Sequence, residues 1–166
     1  MTQNFEVLEE RVKLSESIIW KLQREYYISQ SIRAWSDLVV PHYITCNPWI
    51  ADSYAKVFVG FLQDVLFQAP GQQADLSLQD EYFNIIEIGA GVGKLAFYFL
   101  RSYERLKEQF PFLDNVKVRY ILTDLPERNV QFWLDHEQLR PYFQSGALDC
   151  AALDLSRPFD RLRLPP

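Results

Sequence analysis

Between Phe5 and Trp35 apolar residues recur three or four positions apart, at Leu8, Val12, Ile19, Leu22 and Tyr26, with charged residues between them. That spacing predicts an amphipathic helix or two, and the acidic start of the segment suits the positive end of a helix dipole. A short apolar run, Leu38 to Ile44, is interrupted by Pro41 and leads to Asn47-Pro48. Asn47 can cap a helix that Pro48 opens at its first position. This second helix is expected to run to about Gln68, to bury Ile50, Tyr54, Val57, Phe58, Phe61, Leu62 and Val65, and to stop at Pro70-Gly71.

The pattern then changes. Residues 71 to 80 are rich in Gln, Asp and Ser and read as a polar surface loop. Tyr82 to Ile88 is an almost uninterrupted apolar run, as expected of a strand covered on both faces. A Gly-rich turn and a helix from Lys94 to about Phe110 follow, then a strand from Val116 to Thr123, a helix from Glu127 to Leu139, and a strand from Ala147 to Leu153. Strands alternating with helices build a parallel sheet, so the fold class is α/β.

Composition narrows the partners. The chain has 166 residues, 48% of them apolar, enough for one domain with a real core. Its net charge of −5 offers no general attraction to phosphate backbones, and a nucleic-acid partner would need a local basic patch that the sequence does not show. Cys46 and Cys150 stand far apart, without the spacing of a disulfide framework or a zinc site, so no metal is expected. Charges throughout the first thirty residues exclude a signal peptide's apolar centre, and no later stretch is apolar enough to span a bilayer. A cytoplasmic protein without membrane contact is the expectation.

The candidate chemistry lies in Glu87-Ile88-Gly89-Ala90-Gly91-Val92-Gly93-Lys94, where a strand delivers three glycines at alternate positions into a helix start. Without a Cβ the backbone can take positive φ and let a ligand lie against it, although a tight turn without a ligand uses the same residues. A dinucleotide fingerprint G-x-G-x-x-G wants its third glycine where Lys94 stands, which demotes hydride transfer with a nicotinamide. A phosphate loop fails because Leu95 occupies its hydroxyl position.

On these residues the chain resembles the class I S-adenosylmethionine-dependent methyltransferases, whose first motif is an acid followed by alternating glycines. Glu87, Gly89, Gly91 and Gly93 match it position by position. The resemblance implies that Gly89, Ala90 and Gly91 pack under the cofactor's methionine and ribose, with Glu87 organising the turn and the surroundings of the amino group. It also implies that Asp124, ending the second strand, accepts hydrogen bonds from both ribose hydroxyls and that Leu125 covers the adenine. Asp124 before Pro126 can equally be a helix cap. Asp154-Leu155 occupies the place from which the family often contacts the adenine amino group and ring; Asp149 is nearby, and an Asp at a strand end is also a turn former.

The implied architecture is a Rossmann-like parallel sheet: residues 1–69 form a helical N-terminal extension, 70–80 a loop, and 81–166 a partial S-adenosylmethionine-binding domain. In the family such front helices help to form the substrate pocket. Tyr43, Thr45 and Asn47, in the loop before the second helix, are the substrate-side candidates, and Asn47-Pro48-Trp49 resembles an amine-binding motif with one proline missing. A capped helix start explains the same residues. Only three strands are evident, so the sheet is expected to be truncated, to leave its first strand as an uncovered edge, and to self-associate there. The resulting expectation is methyl transfer to an unidentified acceptor, a small molecule, with no catalytic residue named. The alternative is a non-catalytic methyltransferase-like module that acts as a binding partner.

Overall fold

The structure is a computed structural model that describes residues 6–67 and 81–156. Three strands, β1 (Tyr82–Ile88), β2 (Lys117–Asp124) and β3 (Leu148–Ala152), form a parallel sheet in the spatial order β1-β2-β3. The helices are α1 (Ile19–Gln30), α2 (Arg33–Ser36), α3 (Pro48–Leu66), α4 (Lys94–Lys107), α5 (Glu127–Asp135) and α6 (Arg140–Ser145), with short 3-10 turns at Leu14–Glu16 and Pro111–Asn115. This is a mixed α/β architecture in which α4 joins β1 to β2, and α5 with α6 joins β2 to β3. The expected loop at 70–80, the stop at Pro70-Gly71 and the chain beyond Ser156 lie outside the described residues.

The core forms where helices meet one face of the sheet. Tyr120, Leu122, Leu148 and Cys150 from the strands pack with Phe99, Leu100 and Tyr103 of α4, Trp133 of α5 and Tyr142 of α6. α3 lies against α4 through Ala51, Ala55, Val59, Leu62 and Leu66, all buried at helical spacing. Two alanines on this stripe let the helix axes approach closely, which the larger side chains beside them would prevent. The sequence pattern had favoured those larger residues; of the buried stripe only Leu62 was among them, and Val57 is 70% exposed.

The expected coverage of β1 on both faces is corrected. Exposed and half-buried residues alternate along it, and Ile86 and Ile88 are 51% and 62% exposed. Half of the strand therefore faces away from the helical layer, and β1 has no pairing partner on its outer edge among the described residues. On this open face the Arg119 guanidinium lies 4.2 Å from the Tyr82 ring centre and 4.0 Å from the Asp149 carboxylate.

Helix boundaries also differ. The expected helix from Glu127 to Leu139 ends at Asp135, where His136 leaves helical geometry with φ −73° and ψ 118°, and α6 begins at Arg140 with Pro141 in its first turn. α4 stops at Lys107 rather than near Phe110. At the N-terminus helix starts only at Leu14–Glu16 and Ile19, so the acidic start is not a helical turn. Glu9 instead accepts hydrogen bonds from the Ser17 hydroxyl and from Ile18 N at 2.9 Å, holding the entry to α1. No residue of α1 is buried, and Leu8, Val12, Ile19 and Leu22 are exposed. No described helix is long and apolar enough to cross a membrane.

The α3 packing is checked by two substitutions. Ala55→Leu inserts volume into the α3–α4 contact and should cost about 1–3 kcal/mol in chemical denaturation. Val57→Ala, on the exposed side, should change stability by no more than about 0.5 kcal/mol. The reverse ranking would place the wrong face of α3 against the core.

Candidate functional site

The end of β1 is tied to the end of β2 by a set of short hydrogen bonds around the glycine turn. Gly89 N and Ala90 N both donate to the Thr123 carbonyl at 2.9 Å, and the Thr123 hydroxyl donates to the Glu87 carbonyl at 2.6 Å. Gly91 N donates to Asp124 Oδ2 at 2.9 Å, Gly93 N donates to the Ala90 carbonyl at 2.9 Å, and the Trp133 indole N–H donates to the Gly91 carbonyl at 2.9 Å. The chain can follow this path because Gly89, Gly91 and Gly93 all take positive φ, at 74°, 54° and 72°.

Four of the turn's amides are thus consumed inside the protein. A phosphate cradle works by presenting such N–H groups unpaired to the anion. The turn therefore favours a ligand that rests against the backbone through its shape. A Cβ at Gly89 would meet nothing within 4 Å, so the backbone is open there, whereas at Gly91 it would lie 3.2 Å from the Trp35 ring and at Gly93 3.3 Å from Leu139.

Asp124 is only 7% exposed, and its carboxylate is shared. Oδ2 accepts from Gly91 N and, at 3.1 Å, from the Asn129 side-chain amide; Oδ1 accepts from Leu125 N at 2.7 Å. Asn129 in turn accepts from the Ser31 hydroxyl, and both of those residues are buried. Asp124 does not cap α5, whose N-cap is Pro126. With three of about four acceptor positions filled, the carboxylate retains room for one further donor.

Glu87 points toward the helical layer and accepts from the Tyr120 hydroxyl at 3.0 Å. Burial pushes its carboxyl from an ordinary 4.5 up to about 7; the Tyr120 bond opposes the rise and the nearby Asp124 charge adds to it. Beside Glu87, an apolar groove of about 530 Å³ opens between α3 and β1, walled by Tyr54, Phe58, Phe61, Ile85 and Tyr120.

Asp154 follows β3 and is held by Arg24 of α1 through two bonds, Nη1 to Oδ1 at 2.9 Å and Nη2 to Oδ2 at 2.6 Å. Ser156 also donates to Oδ1 from its amide and its hydroxyl. The Arg24 hydrogen bonds, with those from Ser156, hold this carboxyl well below the usual carboxylate range. Asp149, the other candidate acid near this strand end, instead faces Arg119. Over the strand ends lies a cavity of about 270 Å³, lined by Trp20 and Tyr27 of α1 and by Ile88, Gly89, Asp124, Leu125, Asp154 and Leu155. Gly89, Asp124, Leu125, Asp154 and Leu155 are thus brought together, while Glu87 turns away toward the groove.

The substrate-side candidates serve the chain itself. Asn47 Oδ1 caps α3 by accepting from Ile50 N at 3.0 Å, and its amide donates to the carbonyls of Tyr43 and Ile44. Thr45 donates to the His42 carbonyl at 3.3 Å, and Tyr43 is exposed. The loop nevertheless approaches the turn, since Cys46 lies within the electrostatic reach of Glu87 and Lys94, and burial pushes its thiol up. Arg24, Ser31, Trp35 and Asn129 were not foreseen as site residues. Arg24 and Trp35 are visible in the sequence only as polar and aromatic positions of a helical stripe, and no local pattern couples them to Asp154 and Gly91, which lie far along the chain.

Among the described residues no cluster of His, Cys, Asp and Glu could hold a metal ion. No protein-family profile, characterised protein or solved structure matches the chain.

The raised Glu87 carboxyl fixes a pH dependence. The folded chain binds this proton more tightly than the unfolded one, so the associated stability is full below pH 4.5 and is lost as pH rises through 7. Glu87→Gln keeps an acceptor for Tyr120 and removes the charge. It should raise stability at pH 8 by about 3 kcal/mol and leave it nearly unchanged at pH 4.5, as measured by urea unfolding. An equal effect at both pH values would show that the carboxylate is not buried at a cost.

Proposed function

We propose that the chain is a cytoplasmic, Rossmann-like, class I S-adenosylmethionine-dependent methyltransferase, or its cofactor-binding portion, and that it acts on an unidentified small-molecule acceptor. The observation that carries the reading is the junction of the glycine turn with Asp124. Positive-φ glycines at the end of one parallel strand are bonded to a carboxylate at the end of the next, and Gly89 is open to the cavity above them.

The residues fit the group in part. When bound, S-adenosylmethionine supplies an electrophilic methyl carbon on sulfur. Gly89 gives bare backbone against which the ligand can lie, and Leu125 supplies an apolar wall. Asp124 can accept one ribose hydroxyl on its remaining position without releasing the turn. Asp154 can take the adenine amino group only after Arg24 withdraws from it. Methyl transfer by displacement depends chiefly on holding two reactants in line, with a base needed only where the acceptor must lose a proton. The prior engagement of Asp124 and Asp154 within the chain favours, as a second reading, a non-catalytic module with the same fold.

Self-association through β1 belongs to the same proposal. A strand edge that no described residue pairs, beside exposed Ile86 and Ile88, is a template for a further strand. Light scattering of the eluting chain should show a species larger than one copy at high concentration. A strictly monomeric species there would remove this element of the proposal.

Isothermal titration with S-adenosylmethionine and with S-adenosylhomocysteine tests the cofactor reading without an acceptor. Saturable binding is expected. Gly89→Ala should cost about 1 kcal/mol in stability through its positive φ, yet weaken binding by about tenfold or more because the methyl group projects into the cavity. A folded chain that binds neither ligand would overturn the methyltransferase reading and leave the interaction module.

A further inference from the structure

The cavity over the strand ends is one of two that meet at a single ion pair. The second, about 690 Å³, lies between the C-terminal half of α1 and the start of α5, beside Ile28, Pro126, Glu127 and Arg128. Arg24, Leu125, Leu153 and Asp154 line both spaces, so the Arg24–Asp154 pair is the partition between them. Closed, the cavity over the glycine turn is about 270 Å³, just below the roughly 300 Å³ at which small-molecule sites begin.

The helix that carries Arg24 is held in an unusual way. α1 buries no residue, and Ile19, Trp20, Leu22 and Ile28 are exposed. Polar bonds tie it to the α/β body at three points, beside the half-buried rings of Tyr26 and Tyr27. Arg24 grips Asp154 at mid-helix, Arg128 donates to the carbonyls of Ile28 and Ser29 at the C-terminal end, and Ser31 just beyond donates to Asn129. Below this, Trp35 stacks on Tyr27 with ring centres 5.2 Å apart and rests on Gly91. A helix fastened by hydrogen bonds at named points and without a fully buried residue opens at a cost far below that of global unfolding.

We infer that α1 is a gate over the strand ends and that the Arg24–Asp154 pair is its latch. With the latch closed, Asp154 is occupied and the space over the strand ends is divided. With it open, the two cavities become one cleft running from Gly89 to the start of α5, and Asp154, still bonded to Ser156, no longer carries the guanidinium. The ligand class rests on the methyltransferase reading, but the gate does not.

Hydrogen exchange of the whole ligand-free chain, read by mass spectrometry, tests the latch directly. Arg24→Ala should speed exchange over residues 19–30 by about tenfold or more while β2 is unchanged, and Arg24→Lys, which keeps the charge but not the two-point grip, should fall between. Titration with S-adenosylhomocysteine should then show binding about threefold to tenfold tighter for Arg24→Ala than for the parent chain, since the ligand no longer has to break the pair. Unchanged exchange in Arg24→Ala overturns the gate whatever the titration shows. Faster exchange with weaker binding also overturns it, because Arg24 would then be a ligand contact. Faster exchange with no binding by either protein upholds the latch and defeats the methyltransferase reading.

Discussion

One buried carboxylate sets the geometry on which the rest of the site depends. Asp124 takes the amide of Gly91 and so fixes the glycine turn to the end of the neighbouring strand, while the Thr123 carbonyl beside it takes the amides of Gly89 and Ala90. An acceptor group withdrawn from water is expensive unless it is satisfied, and here the carboxylate is satisfied by two backbone N–H groups and the Asn129 side-chain amide. The turn cannot relax without leaving those groups unpaired. Its shape is therefore inherited from the sheet, and α4 starts where the sheet directs it. Trp133 reinforces the arrangement by donating to the Gly91 carbonyl from α5, so that the elements on both sides of β2 converge on a single glycine.

Much of this was legible because it is local. The run Tyr82–Ile88, the alternate glycines and the strand ending in Asp124 are contiguous signals whose spacing maps directly onto backbone geometry, and Asn47-Pro48 behaved as a capped helix start for the same reason. What escaped the sequence is non-local. Whether Val57 or Ala55 faces α4 depends on how near two helix axes can come, and small residues decided it against larger ones. Nothing in Arg24 alone indicates Asp154, which lies 130 positions along the chain. The even apolar character of β1 suggested cover on both sides, yet the apolar content of a strand reports only what it could bury, and Ile86 and Ile88 remain exposed.

The same balance appears in the acids Glu87 and Asp124, for which the family resemblance implies a place near a cofactor. Asp124 is enclosed by donors, whereas Glu87 has one hydroxyl partner and a poorly solvated position, so burial raises its carboxyl to about 7. Two carboxylates at the ends of adjacent strands are thus used differently, one bonded into the turn by three donors and the other, chiefly through burial, poised near neutrality.

The indole that donates to Gly91 has a further consequence. Trp133 is fully buried and bonded to the turn, while Trp20 and Trp49 are exposed. Light absorbed at the red edge of the tryptophan band is therefore divided between two wet rings on the periphery and two sheltered ones at the glycine turn, half-buried Trp35 and dry Trp133. A soluble quencher reaches the former first, and the emission that survives it comes chiefly from the sheltered rings, so the protein carries at its most constrained point a built-in optical probe of whether that point has moved.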